Sequence, residues 1–235
     1  MIKGIFTASR GLGYRMKNIE NVANNLANVN SAGYKREGEF YQIINEMGET
    51  KARQTRDYSN GNYINTSRPF DLAIRGEGFF EVKTPKGVEL SRNGRFSLSE
   101  EGFLVNDNGD KVMGNRGEIN LTSFQMNQNQ SVTVTRNGEI RIGDEIVDTL
   151  KISTVDNLDS LQKTGGSNYM DYNQNYMPAE EEKFEVLSGY IEESNVNAIY
   201  EMQKMIEINK EYEAAQKVIN TIDASLERLK EIGRV

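Results

Sequence analysis

From Tyr190 to Ile232 the chain contains neither glycine nor proline, and its apolar residues recur every three to four positions. That spacing is the mark of one long amphipathic helix. Met205, Tyr212, Ile219 and Leu226 stand seven apart, and Ile208, Ala215, Ile222 and Leu229 fill the second apolar position of the same heptads. The start of the chain repeats the pattern with Ile5, Leu12, Ile19 and Leu26, accompanied by Ile2, Met16 and Ala23 in a row that Ser9 interrupts. A narrow stripe on an isolated helix has nothing to bury against, so each end of the chain needs a partner. The expectation is an α+β fold in which long N- and C-terminal helices pack as an antiparallel coiled coil around a central, mostly antiparallel β domain. Function is expected to lie in helix association.

Composition narrows the chemistry. The 235 residues are 37% apolar, enough for a modest core, and include no histidine and no cysteine. This removes imidazole bases, Cys–His nucleophiles, zinc sites of the Cys/His type and disulfides. Any catalysis would rest on carboxylates, Lys, Tyr or Ser. A formal charge of −7 argues against nucleic acid as a partner, because binding it takes a basic face. Lys35, Arg36, Arg10, Arg15 and Lys17 read as solvated surface. No apolar run approaches the ~20 residues of a membrane span, and the N-terminus lacks the apolar block of a cleaved secretory signal.

The middle of the chain has a different character. All three prolines, Pro69, Pro85 and Pro178, lie there. From Asp71 to about Val155, short apolar runs alternate with turn signals such as Pro85-Lys86-Gly87, Asn93-Gly94, Asp107-Asn108-Gly109 and Asn137-Gly138, which predicts antiparallel strands joined by hairpins. Residues 1–30 form the first helix in this reading, 31–70 a connecting arm with a short helix at Glu39–Met47, 71–190 the β domain and 191–235 the last helix. The Asn-, Gln- and Tyr-rich stretches Gln125–Gln130 and Asn168–Tyr176 read as exposed loops. Glu180-Glu181-Glu182 reads as a solvated turn. Gly76-Glu77-Gly78 reads as a β turn, since Glu81 stands where a nucleotide loop needs its third glycine.

Four segments carry a family resemblance. Val22-Ala23-Asn24-Asn25-Leu26-Ala27-Asn28-Val29-Asn30 with Gly33-Tyr34-Lys35 resembles the N-terminal signature of the bacterial flagellar rod and hook proteins. Asp71-Leu72-Ala73-Ile74 with Gly76, Gly78, Phe79 and Phe80, then Arg92-Asn93-Gly94-Arg95-Phe96, and finally Glu193-Ser194-Asn195-Val196-Asn197 follow in the family's order. The resemblance implies a rod subunit, because no room remains for the hook's extra outer domain, and it favours the proximal over the distal rod protein. It implies assembly with further copies and neighbouring rod proteins, passage through the flagellar type III export apparatus, a place in the basal-body rod in the periplasm, and neither cofactor, metal nor catalytic residue.

The residues themselves add an assembly surface. Asn24, Asn25 and Asn28 lie on or beside the N-terminal stripe, where buried amides would set register between neighbouring helices, while Asn28 equally suits a helix end. With them, Ile5, Leu12, Met16, Ile19, Leu26 and the eight heptad positions of the last helix form the expected interface. Two other classes stay open: a closed coiled-coil oligomer displaying a β-rich binding domain, and a wall hydrolase using paired carboxylates, for which no acid–base pair stands out.

Overall fold

The run Phe79-Phe80-Glu81-Val82 offers no polar face to water, and the fold buries it whole. The computed structural model describes residues 2–44, 50–122, 131–173 and 175–232, with the side chains of 2–8, 39–44, 50–53, 226 and 229–232 left aside. In it, strand Phe79–Thr84 is the spine of a ten-stranded sheet. Successive side chains of a strand point to opposite faces. Phe80 and Val82 therefore enter one apolar cluster with Leu72, Ile74, Leu104 and Ile140, and Phe79 enters a second with Leu90, Val155, Leu161 and Tyr169. Glu81 is buried too, and its carboxylate accepts a hydrogen bond from Ser153 Oγ and pairs with Lys151 Nζ at 3.0 Å.

One edge of the spine pairs antiparallel with Gly87–Ser91, from Phe80↔Ser91 to Thr84↔Gly87, so that Pro85-Lys86 closes a hairpin. The other edge serves two strands in turn, Lys111–Gly114 at Val82↔Val112 and Ile152–Val155 at Ile152↔Phe80. The resulting sheet is curled. Two short ribbons complete this region. Leu72–Gly76 pairs with Phe184–Ser188 at Ile74↔Val186, and Tyr63–Asn65 pairs with Tyr190–Glu192 at Ile64↔Ile191.

The chain divides into two compact units, one of Met1–Asn28, Arg36–Asp57 and Val196–Val235, the other of Val29–Lys35 and Tyr58–Asn195. The second holds the sheet and ribbons. The first holds helix α1 (Ile2–Ala27), the antiparallel hairpin of Glu37–Ile44 and Thr50–Arg56, and helix α2 (Ala198–Ile232). Asn197 caps α2, its Oδ1 accepting from the Tyr200 amide at 3.1 Å. The Asn24 carbonyl at the end of α1 accepts from both the Asn28 amide at 3.1 Å and the Asn28 side chain at 2.8 Å. Arg15 Nε meets Glu211 Oε2 at 3.2 Å where α1 lies along α2.

The expected fold class is corrected by this architecture. Among the described residues two helices account for 27% of the chain and the rest is largely β, so long coiled-coil helices do not define the fold. The reason lies in α1. A coiled-coil seam needs both apolar rows turned to the partner, yet Met16 is 56% exposed and Ala23 is exposed, whereas Asn21, Val22 and Asn25 are buried. The β content exceeds the expectation because residues 31–70 contribute strands. Glu37–Ile44 is a strand where a short helix was expected at Glu39–Met47, the last three residues of that stretch lying outside the described residues. Asn168–Met170 is likewise a strand instead of an exposed loop, while Gln125–Gln130 lies outside the described residues.

One close approach makes a sharp test of the packing. The Leu72 amide donates to the Gly94 carbonyl at 2.8 Å, and a Cβ on Gly94 would sit 1.6 Å from the Leu72 carbonyl oxygen. Gly94→Ala is expected to lower unfolding free energy by about 3 kcal/mol or more in urea titration, since backbone must move to admit the methyl. Gly165→Ala, with no atom within 4 Å of the added Cβ, is expected to stay within about 0.5 kcal/mol.

Candidate functional site

A charged side chain is withdrawn from water at low cost only when it is paired and hydrogen-bonded. Three such side chains meet in the second unit. Lys35 and Glu192 are each 1% exposed and Arg92 is 5% exposed. Lys35 Nζ donates to Glu192 Oε1 at 2.6 Å and to the Ser59 carbonyl at 2.8 Å. Arg92 Nη1 reaches Glu192 Oε2 at 3.5 Å and the Ile74 carbonyl at 3.1 Å, and its Nη2 donates to the Gly76 carbonyl at 2.8 Å. The Gly61 amide donates to Glu192 Oε1 at 3.0 Å. Arg92 also lies over the Phe79 ring, 5.2 Å from its centroid.

Backbone bonds hold the same place. The Gly33 amide donates to the Glu192 carbonyl at 2.8 Å, and the Asn195 side chain donates to the Ser59 carbonyl at 3.1 Å. Gly33 has φ +64°, and a Cβ there would lie 2.2 Å from the Arg92 carbonyl carbon, so only glycine admits this approach. Burial pushes the Arg92 guanidinium below its usual value, an effect that the charge of Glu192 opposes. Burial, followed by the Glu192 charge, raises the Tyr63 phenol, whose hydroxyl donates to the Ile74 carbonyl at 3.1 Å. The triad has two cations on one carboxylate and no nucleophile poised for attack. Its chemistry is that of a clamp between where the chain enters this unit and where it leaves.

A second set of polar contacts ties the arm to the helices inside the first unit. Asn25 is fully buried, donating from Nδ2 to the Glu37 carbonyl and accepting from the Glu37 amide, both at 2.8 Å. Its amide thus pairs with a strand the way another strand would. Asn21 Nδ2 donates to the Gly38 carbonyl at 3.0 Å. Arg36 Nε pairs with the fully buried carboxylate of Glu201, and its guanidinium stacks over Tyr200 at 5.3 Å.

The residues singled out for assembly separate accordingly. Ile208 is buried, while Leu12, Ile19, Leu26, Met205, Tyr212, Ala215, Ile219 and Ile222 are half-buried within one chain. Met16 and Asn24 are exposed, Asn25 bonds a strand of its own chain, and Asn28 closes its own helix. The side chains of Ile5, Leu226 and Leu229 lie outside the described set. Sequence reasoning missed the triad, and Lys35, read as solvated surface, is interior. The available signal was position: Lys35 and Arg92 lie inside the resembling segments and Glu192 directly precedes one. Among the described residues no helix is long and apolar enough to cross a membrane, and no group of three His, Cys, Asp or Glu side chains is placed to hold a metal.

Known proteins are similar to this chain along nearly its whole length. Residues 73–142 match the family described as flagellar hook protein FlgE/F/G D1 domain, and residues 187–232 match flagellar basal body rod FlgEFG protein C-terminal. The chain is 30% identical to flagellar basal-body rod protein FlgG of Buchnera aphidicola subsp. Schizaphis graminum, across 99% of this chain and 100% of that one. This chain belongs to the flagellar basal-body rod protein family. Flagellar basal-body rod protein FlgG of Buchnera aphidicola subsp. Acyrthosiphon pisum is 29% identical over 99% of this chain and all of its own length. Flagellar basal-body rod protein FlgF of Mesorhizobium japonicum is 26% identical over 92% of each chain. Membership makes the chain a structural rod component of the basal body and accords with a protein that is not an enzyme. The expectation of a proximal rod subunit fits the rod-family match.

Within this rod-family chain, Glu192→Gln leaves two buried cations without their carboxylate. It is expected to lower the stability of the β unit by about 3–5 kcal/mol in urea unfolding, the cost of breaking one partner out of a buried pair. Glu193→Gln, half-buried one residue along, is expected to change it by less than about 0.5 kcal/mol.

Proposed function

We propose that this protein self-assembles or co-assembles with neighbouring rod proteins into a helical tube that transmits motor torque, and that it occupies the proximal rod. The observation that carries the reading is apolar surface left open on α2. Ile199, Met202 and Ile206 are 71%, 50% and 56% exposed, and five of the heptad residues, Met205, Tyr212, Ala215, Ile219 and Ile222, are only half-buried. A single chain does not cover this surface, and burying it against another subunit recovers about 25 cal/mol per Å².

Contacts between unlike patches that do not close a ring build open helical arrays, and stiffness follows from many such contacts in parallel. In this reading residues 1–30 and 191–235 serve the axis, 31–70 form the connecting arm, and 71–190 form the outward β domain. The expected interface keeps the positions named above, less the amides that their own chain occupies. The subunit passes through the flagellar type III export apparatus and assembles in the periplasm.

The test is incorporation. Ile222→Asp, expressed in place of the native subunit, is expected to abolish incorporation into basal bodies and motility while leaving the β unit folded, because a carboxylate forced into an apolar contact costs several kcal/mol. Glu207→Ala, at an exposed position, is expected to incorporate and swim like the parent. Equal incorporation of both variants at equal protein levels would remove the helix from the interface. A single discrete oligomer of the purified parent would favour a closed assembly over a tube.

A further inference from the structure

The second unit carries two surface features of opposite charge, the first of which borders the buried clamp. The first is an open cleft of about 620 Å³. Three carboxylates, Glu77, Asp156 and Glu180, line it against one surface cation, Lys183, and the buried guanidinium of Arg92. Lys183 pairs with Glu180 at 3.0 Å, and its ammonium is held above the usual lysine range by Glu180 first, with Glu77 and Asp156 adding to the effect. Leu158 and Met177, 36% and 47% exposed, form apolar lips. A cleft with an excess of carboxylates and uncovered apolar lips is built to receive a cationic side chain with an aliphatic stem.

The second feature is such a side chain on a rigid turn. Arg136, with its side chain 85% exposed, sits between strands Val132–Val134 and Glu139–Ile142. The turn is fixed by the Gly138 amide donating to the Thr135 carbonyl at 2.9 Å, the Glu139 amide donating to Thr135 Oγ1 at 3.1 Å, and the Val186 amide donating to the Arg136 carbonyl at 2.8 Å. Arg136 shares Glu185 with Arg75, at 3.2 Å and 3.0 Å, so one carboxylate answers two guanidinium groups. Arg136 is not part of the wall of its own cleft.

We propose that the β unit docks on a second copy of this chain, the Arg136 turn of one copy seating in the acidic cleft of the next. This rests on the reading of an assembling rod subunit and specifies which surfaces meet. Knob and cleft are different patches, so the contact is heterologous and repeats along an open array instead of closing as a two-fold dimer. The guanidinium faces Glu77 and Asp156, and its stem lies between the lips.

The experiment is a charge exchange in the full-length protein, read by sedimentation at low salt. Arg136→Glu alone, and Glu77→Lys/Asp156→Lys alone, are each expected to weaken self-association at least about tenfold, with urea midpoints unchanged. An equimolar mixture of the two is expected to associate nearly as tightly as the parent, because the reversed knob of one variant meets the reversed cleft of the other, while the native knob of the second meets the native cleft of the first. The proposal is overturned if either variant associates like the parent, if the mixture is no tighter than its components, or if the parent stays monomeric at concentrations on the order of 1 mM. A parent that enters rods in cells yet fails the mixing test keeps the rod reading and loses this docking contact. A parent that never enters rods loses the reading itself.

Discussion

The carboxylate of Glu192 is the point on which the β unit depends. Lys35 and Arg92 are interior cations, and both pair with Glu192. The carboxylate they share comes 157 positions after Lys35. Its strand, Tyr190–Glu192, also closes the ribbon with Tyr63–Asn65, and the preceding strand, Phe184–Ser188, closes the ribbon with Leu72–Gly76. One stretch of chain therefore supplies both the counterion and the missing strands. Packing of that stretch brings the shared carboxylate to Lys35 and Arg92 and joins Val186 to the core of Leu72 and Ile74, so local pairing and global closure are coupled.

The same logic explains why polar residues recur at structural joints of this chain. Asn25 ties α1 to the strand that follows it, Arg36 ties that strand to the start of α2 through Glu201, and Asn195 ties the end of the β unit to Ser59. Apolar contacts would stabilise these joints as well, but they are not directional. A side-chain amide or guanidinium accepts only a few geometries, which fixes where each segment sits. In the proposed assembly such fixity would matter more than extra stability, since a small angular error grows along an array.

Periodicity and turn chemistry made part of this legible from the residues. The glycine-free stretch after Tyr190 located most of α2, the Asn137-Gly138 and Asp107-Asn108-Gly109 turns located hairpins, and the ordered segments identified the family, whereas Asn93-Gly94 joins Gly87–Ser91 to Phe96–Leu98, which do not pair with each other. What they did not reveal has a common cause, namely partners remote in sequence. Lys35 looked like surface because Glu192 is far away along the chain. Asn25 looked like a contact between helices because spacing reports that a face is occupied and not by what. Asn168 and Tyr169 looked like loop because they are polar, yet Asn168 donates to Glu89 at 3.1 Å and Tyr169 packs edge-on to Tyr58 and Phe79. The helical stripes were real as periodicity but did not define the architecture, because strands hold more of the described residues than helices do.

Amide hydrogen exchange in the intact protein tests the central claim most directly. The amides of Gly33 and Gly61 donate to the backbone and side chain of Glu192, and those of Leu72 and Val186 lie in the core. If Glu192 closes the unit as a whole, all four amides exchange only through global opening, with the same free energy and the same denaturant dependence. Exchange of Gly33 and Gly61 through a local opening, at a free energy well below that of Leu72 and Val186, would contradict the account and leave Glu192 as a surface clasp on a core that closes without it.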